Sequence, residues 1–236
     1  MKEWVRMPTF WVRNEDEVPL AQMKWIGPKK SDQIAALLIY LILVHHANDV
    51  ITSQLPECGL CKLTYSTIAN LSGLSRAKIA GGLRVLERMG LISKFSAGRD
   101  NVYKIASFEN VRGWGKLPAS GLYSTDRNSI PAFHRFQLRS KNELSALKIY
   151  YLIVAMRDNS LGYAQVGYDK IEGYTGIPRN EIKSALSLLV NLGLIHIDSG
   201  KSSFSEFGIV NLYRLRYLEP YKHRGTTLRG SASFLE

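Results

Sequence analysis

The stretch from Val166 to Ile195, VGYDKIEGYTGIPRNEIKSALSLLVNLGLI, repeats the stretch from Leu63 to Ile92, LTYSTIANLSGLSRAKIAGGLRVLERMGLI, without a gap. Tyr65 matches Tyr168, Ile68 matches Ile171, Gly73 matches Gly176 and Arg76 matches Arg179. Ile79, Leu83 and Leu86 match Ile182, Leu186 and Leu189, and both copies close on Gly-Leu-Ile. Upstream, SDQIAALLIYLI from Ser31 pairs with KNELSALKIYYL from Lys141; downstream, VYKI at Val102 pairs with LYRL at Leu212. A repeat of this kind restricts a chain to one supersecondary unit used twice. The chain is therefore expected to be a tandem internal duplication, each copy a helix, then two helices joined by a tight turn, then two strands.

Within each copy the apolar residues recur at three- and four-residue spacing on either side of a short break. Ile68 and Leu71 mark the inner face of one helix, and Ile79, Leu83 and Leu86 that of the next. Gly73 can take the positive φ a tight turn between crossing helices needs, and Ser75 can cap the second helix. Ala69 leaves room for the crossing and Ile79 can plug it. This Ala, Gly and Ile spacing, running on through Leu91 and Ile92 into strand-like sequence, resembles the helix-turn-helix of winged-helix proteins. The second copy departs once, with Glu172 where the first has Ala69. The resemblance implies a mainly α chain with small β-wings, an α+β fold of two tandem winged helix-turn-helix domains.

Expected boundaries are 1–105 for the first domain with an extended lead, 106–129 for a linker, 130–215 for the second domain and 216–236 for a basic tail. Trp4, Phe10, Trp11 and Trp25 in the lead read as packing anchors. IPAFHRFQL from Ile130 echoes MPTFWVRN from Met7, which places a second extended lead at 130–138. The apolar run from Ile34 to Val44 is too short to cross a bilayer, for which roughly 20 residues are needed, and reads as a buried helix. No secretory signal is visible in Met1 to Arg13, and two cysteines are too few for a disulfide framework, so a cytoplasmic protein is expected.

The charge is less ordinary: 31 Lys and Arg against 20 Asp and Glu leave +11, which favours a polyanionic partner. Burying Ile79, Leu83 and Leu86 turns Arg76, Ala77, Lys78, Ala80, Gly81, Arg84 and Arg88 outward or sideways behind the capping Ser75. Small residues there let the backbone sit deep in a major groove, while Arg and Lys reach phosphates or guanine. The alternative for this face is a solvated one. The turn after it puts Arg99 near a wing tip, where the winged-helix resemblance implies backbone contact. In the second copy Arg179, Asn180, Lys183 and Ser184 form the corresponding face, and Lys201 lies in the longer wing.

Cys58-Gly59-Leu60-Cys61, downstream of His45 and His46, invites a zinc reading. Adjacent helical residues point about 100° apart, so the two histidines are not expected to face one ion, and no metal or other cofactor is assigned. No phosphate loop, nucleophile elbow, zincin motif or paired-carboxylate metal site is present, so no enzyme and no small-molecule substrate are expected. The aromatic lead, the long first helix and the closing LxxxGLI are similar to replication proteins of plasmids and phages. That resemblance implies sequence-specific binding of duplex DNA by two heads, as a replication initiator or a transcriptional regulator. A second copy of the chain is a further candidate partner. A tandem winged-helix bridging or protein-interaction module is the alternative.

Overall fold

The middle of the molecule is made by two helices so apolar that they have no solvent face. In the computed structural model, which describes residues 2–14, 16–53, 55–97, 100–109, 113–201 and 209–218, every residue from Ile34 to His45 and from Glu143 to Ala155 is buried. The chain is α+β, with helices around small antiparallel sheets. Its first half runs β1 (Trp4–Pro8), α1 (Phe10–Arg13), α2 (Pro19–Gln22), α3 (Ser31–His46), β2 (Leu60–Lys62), α4 (Tyr65–Ser72), α5 (Arg76–Arg88), β3 (Ile92–Ala97) and β4 (Asp100–Ile105). The second runs β5 (Trp114–Pro118), a 3-10 turn at Ser120–Leu122, α6 (Pro131–His134), α7 (Lys141–Met156), β6 (Ala164–Gln165), α8 (Tyr168–Thr175), α9 (Arg179–Asn191), β7 (Ile195–Lys201) and β8 (Ile209–Leu215). The two halves thus share one order of elements, and their three-stranded sheets share one strand order, β2-β4-β3 and β6-β8-β7. Among the described residues no helix is long and apolar enough to cross a membrane.

The turns between the paired helices follow from their glycines. Gly73 ends α4 at φ 73° and Gly176 ends α8 at φ 65°, and each donates its N–H four residues back, to Ala69 and Glu172, at 2.7 Å. Ala69 is half-buried at this crossing, whereas Glu172 is exposed, so the glutamate sits on the rim and the turn geometry is unchanged.

Three expectations fail, two at the leads and one in the linker. Residues 10–13 are a helical turn and not an extended strand; Trp11 is buried with its ring 5.4 Å from Tyr40 on α3 and 5.1 Å from Tyr151 on α7. The segment expected as linker carries β5, which pairs with β1 in antiparallel register, Trp4 opposite Pro118 and Pro8 opposite Trp114. Residues 131–134, expected as the second extended lead, form the helical turn α6 with Phe133 buried. The physical reason is in the strands: WVRMP and WGKLP both read Trp, x, basic, apolar, Pro, and their apolar positions Val5, Met7, Gly115 and Leu117 form the buried face of the ribbon. On the other face Trp4 and Trp114 stack at 5.8 Å, with the Lys116 ammonium 5.0 Å from the Trp4 ring centre.

The leading segments cross over. From the first half, α1 packs on α7 and α2 on α8; from the second, α6 packs on α4. Ile130 donates its N–H to the Leu71 carbonyl at 3.0 Å, and His134 Nε2 lies 2.9 Å from the Asn70 carbonyl. Tyr151 on α7 donates its hydroxyl to the Leu37 carbonyl on α3 at 2.6 Å, so a single core joins the halves.

Candidate nucleic-acid interface

Helix α5 packs on α3 across two glycines. A Cβ on Gly82 would lie 2.8 Å from the Ala36 nitrogen and 2.9 Å from the Ala35 carbonyl carbon, and one on Gly81 would lie 2.5 Å from the Asp32 carboxyl carbon. Gly81 is therefore buried against α3 and unable to face a groove, contrary to the expectation from periodicity. Adjacent glycines turn nearly a third of the helix circumference into backbone, and α3 fills that whole arc. Lys78 is corrected too. It lies on the flank, half-buried, and its ammonium donates to Asp32 Oδ1 at 2.8 Å and Ser31 Oγ at 2.6 Å. Asp32, in the first turn of α3, is the counter-charge of this lysine.

What remains outward on α5 is Arg76, Ala77, Ala80, Arg84, Glu87 and Arg88, with Ala80 partly covered. Ser75 is the N-cap and accepts from the Lys78 N–H at 3.3 Å. Arg76 donates to Ser66 Oγ on α4 at 3.4 Å. No carboxylate among the described residues pairs with Arg76, Arg84 or Arg88, since every ion pair of this half falls elsewhere. The exposed stripe thus runs from short side chains to Arg84 and Arg88, with Glu87 between them and no ion pair for either arginine among the described residues; short side chains suit a groove floor and guanidinium groups its phosphate walls.

The face of α9 is more polar. Asn180, Lys183 and Ser187 are exposed and, with Asn142 at the start of α7, line a shallow groove. Ser184 is committed locally, its hydroxyl lying 2.9 Å from both Asn142 Oδ1 and the Glu181 carbonyl, which share its one proton. Arg179 pairs with Asp169 and lies 5.8 Å from the Tyr168 ring centre, so it is tied to α8 more closely than Arg76 is to α4. Lys141 of α7 pairs with Glu181 of α9 at 2.7 Å, the reverse polarity of the Asp32–Lys78 pair in the first half. Arg99 lies outside the described residues. Lys201 ends β7, and its side chain is not among those described.

The cysteine and histidine cluster resolves into separate contacts. Cys61 is buried on β2, where burial pushes its thiol up to about 12, while the half-buried Cys58 donates to the Asp49 carbonyl at 3.4 Å. His45 and His46 do converge, contrary to the helical-angle argument, on the hydroxyl of Tyr123 at 3.1 and 3.3 Å. That hydroxyl comes from a segment crossing the end of the helix, and it can be reached from two adjacent directions at once. Among the described residues no three His, Cys, Asp or Glu side chains gather as metal ligands would.

Two features at the edge of this interface carried no readable sequence signal: Asp32 as partner of Lys78, and a buried lysine, Lys148, on α7. The β1–β5 ribbon did carry one, the twice-used Trp-x-basic-apolar-Pro pattern. Comparison of the chain with protein-family models, with curated proteins and with solved structures gave no match.

Proposed function

We propose that the chain is a cytoplasmic, sequence-specific duplex-DNA-binding protein made of two winged-helix units that arose by duplication, with α5 and α9 as its reading helices. Its role is that of a replication initiator of the plasmid and phage type, or of a transcriptional regulator with the same two heads. The observation that carries this reading is the outward stripe of α5, where Ala77 and Ala80 precede Arg84 and Arg88 with no carboxylate partner for either arginine among the described residues. The matching order of the two halves, the positive charge of +11 and the exposed Asn180 and Lys183 of α9 support it further. Asn can bond adenine in two places and Arg guanine, so the two helices differ in what they can read, and one chain selects an asymmetric site.

The test is selection from a random duplex pool, followed by salt titration on the enriched site. The expected result is a motif with two unlike halves. Arg84→Ala weakens binding and lowers the salt slope by about one if the arginine meets a phosphate, or costs about 1 to 3 kcal/mol at one half-site if it meets a base. Asn180→Ala relaxes preference at the other half. No enriched motif with a steep salt dependence means nonspecific coating, and no binding at all moves the chain to the protein-interaction class.

A further inference from the structure

Between the first half's crossing segment and the corner of α7 and α9 lies a cleft whose walls include Met23, Lys24, Trp25, Lys141 and Lys148, with Gly176 to Pro178 along its α9 edge. Lys148 is only 5 % exposed, and its ammonium donates to the Met23 carbonyl at 3.0 Å. A carbonyl offers a dipole but no counter-charge. Burial presses the ammonium down to about 8, and the charged groups acting on it, Lys141 and Lys24, are both of its own sign and add to this. Lys141 already holds Glu181, so that carboxylate is engaged at the outer edge of the cleft.

Packing does not explain a lysine here. The matching position on α3 is Leu38, fully buried, and the helix around it is equally well enclosed. Burying an ammonium beside like charges costs stability unless an anion arrives to balance it. The adjoining α9 starts at Pro178 with no side-chain cap, whereas α5 has Ser75, and the acid of its first turn, Glu181, is held by Lys141.

We propose that this cleft is an anion site for a phosphate group, with Lys148 as its buried ligand and Lys24 and Lys141 at its mouth. The inference rests on the cleft alone and holds whether or not the chain reads duplex DNA. The phosphate can come from a free phosphorylated small molecule or from the backbone of DNA lying along α9. Either way it ties the first half's leading segment to the turn before the second reading helix, because Met23 and Ile177 stand on different walls.

The test uses the full chain and inorganic phosphate at pH 7, exchanged against chloride at constant ionic strength and read by thermal unfolding. Phosphate is expected to raise the melting temperature in a saturable way, as any ligand of the folded state does. Lys170→Met, which removes an exposed lysine of α8 outside the cleft, keeps the full shift; Lys148→Met loses it. Lys24→Gln, a change at the exposed mouth that leaves the core intact, weakens phosphate severalfold and keeps the test decisive if Lys148→Met does not fold. Identical curves in phosphate and chloride, or an undiminished shift in Lys24→Gln together with Lys148→Met, overturn the proposal. A duplex titration then separates the sources. If the phosphate belongs to DNA, inorganic phosphate competes with the duplex and Lys148→Met lowers the salt slope by about one. If it belongs to a free ligand, duplex affinity is the same in both proteins.

Discussion

At the scale of single residues, buried polar groups hold this molecule together at the places where its halves meet. His45 Nε2 lies 2.9 Å from the Pro118 carbonyl and Nδ1 3.1 Å from the Tyr123 hydroxyl, so the neutral ring donates to one and accepts from the other. Burial, with the neighbouring His46 adding to it, pushes the imidazolium form down to about 3 against a hydrogen bond to Pro118 that works the other way. The folded value is below the unfolded 6.5, so the unfolded chain takes up the proton first. The stability this neutral ring preserves is present above pH 6.5 and is lost as pH falls from there to about 3. The span sets an upper bound of roughly 5 kcal/mol. The melting temperature of the full chain is expected to fall through that window, and His45→Gln, which keeps a donor for Pro118 but has no proton to gain, flattens the fall. Equal pH profiles for both proteins would remove His45 from this role. Lys148 acts at the other end of the scale. Its folded value of about 8 lies below 10.5, so its cost to folding is full below pH 8 and fades as pH rises to 10.5.

At the scale of elements, the closest packing in the first half is between α3 and α5, and it depends on the absence of two side chains. Gly82→Ala gains helix propensity of about 1 kcal/mol, but its Cβ meets the α3 backbone at 2.8 Å, where nothing can rotate away. Overpacking of this kind typically costs about 1 to 3 kcal/mol, so a net loss is expected, measurable as a lower midpoint in urea with an unchanged slope. A stabilised variant would show that the helices can move apart freely. The paired helices themselves were legible in the sequence, because Ile68, Leu71, Ile79, Leu83 and Leu86 obey a period set by each helix alone. The facing of Gly81 was not legible, since the width of a buried arc depends on how near the neighbour comes. Lys78 was hidden for a similar reason: its partner Asp32 lies 46 positions earlier in sequence and is brought in only by that crossing. The β1–β5 pairing was signalled only by the twice-used Trp-x-basic-apolar-Pro pattern, which has no period to extend, and the IPAFHRFQL echo, starting at Ile130, points 16 residues past the start of β5 at Trp114.

At the scale of the whole molecule, the crossing segments decide how α5 and α9 behave. The first half's α1 and α2 lie on α7 and α8, the second half's α6 lies on α4, and Trp11 is shared between Tyr40 and Tyr151. Neither half closes its own core, so unfolding should be one event: a single calorimetric transition whose enthalpy equals the van't Hoff value. Gly82→Ala, placed wholly in the first half, should then speed amide exchange in α9 as much as in α5. Two separate transitions, or exchange raised in the first half only, would show independent domains. If the halves are one body, the distance between α5 and α9 is set by the core and not by a tether, and a DNA site read by both helices, as proposed, inherits that distance. Lengthening the spacing between its halves by about 5 base pairs turns one half-site to the opposite side of the duplex. A tethered pair of heads would tolerate the change with a small loss of effective concentration. A rigid pair loses one head altogether, and affinity for the altered site falls to that of a single unit.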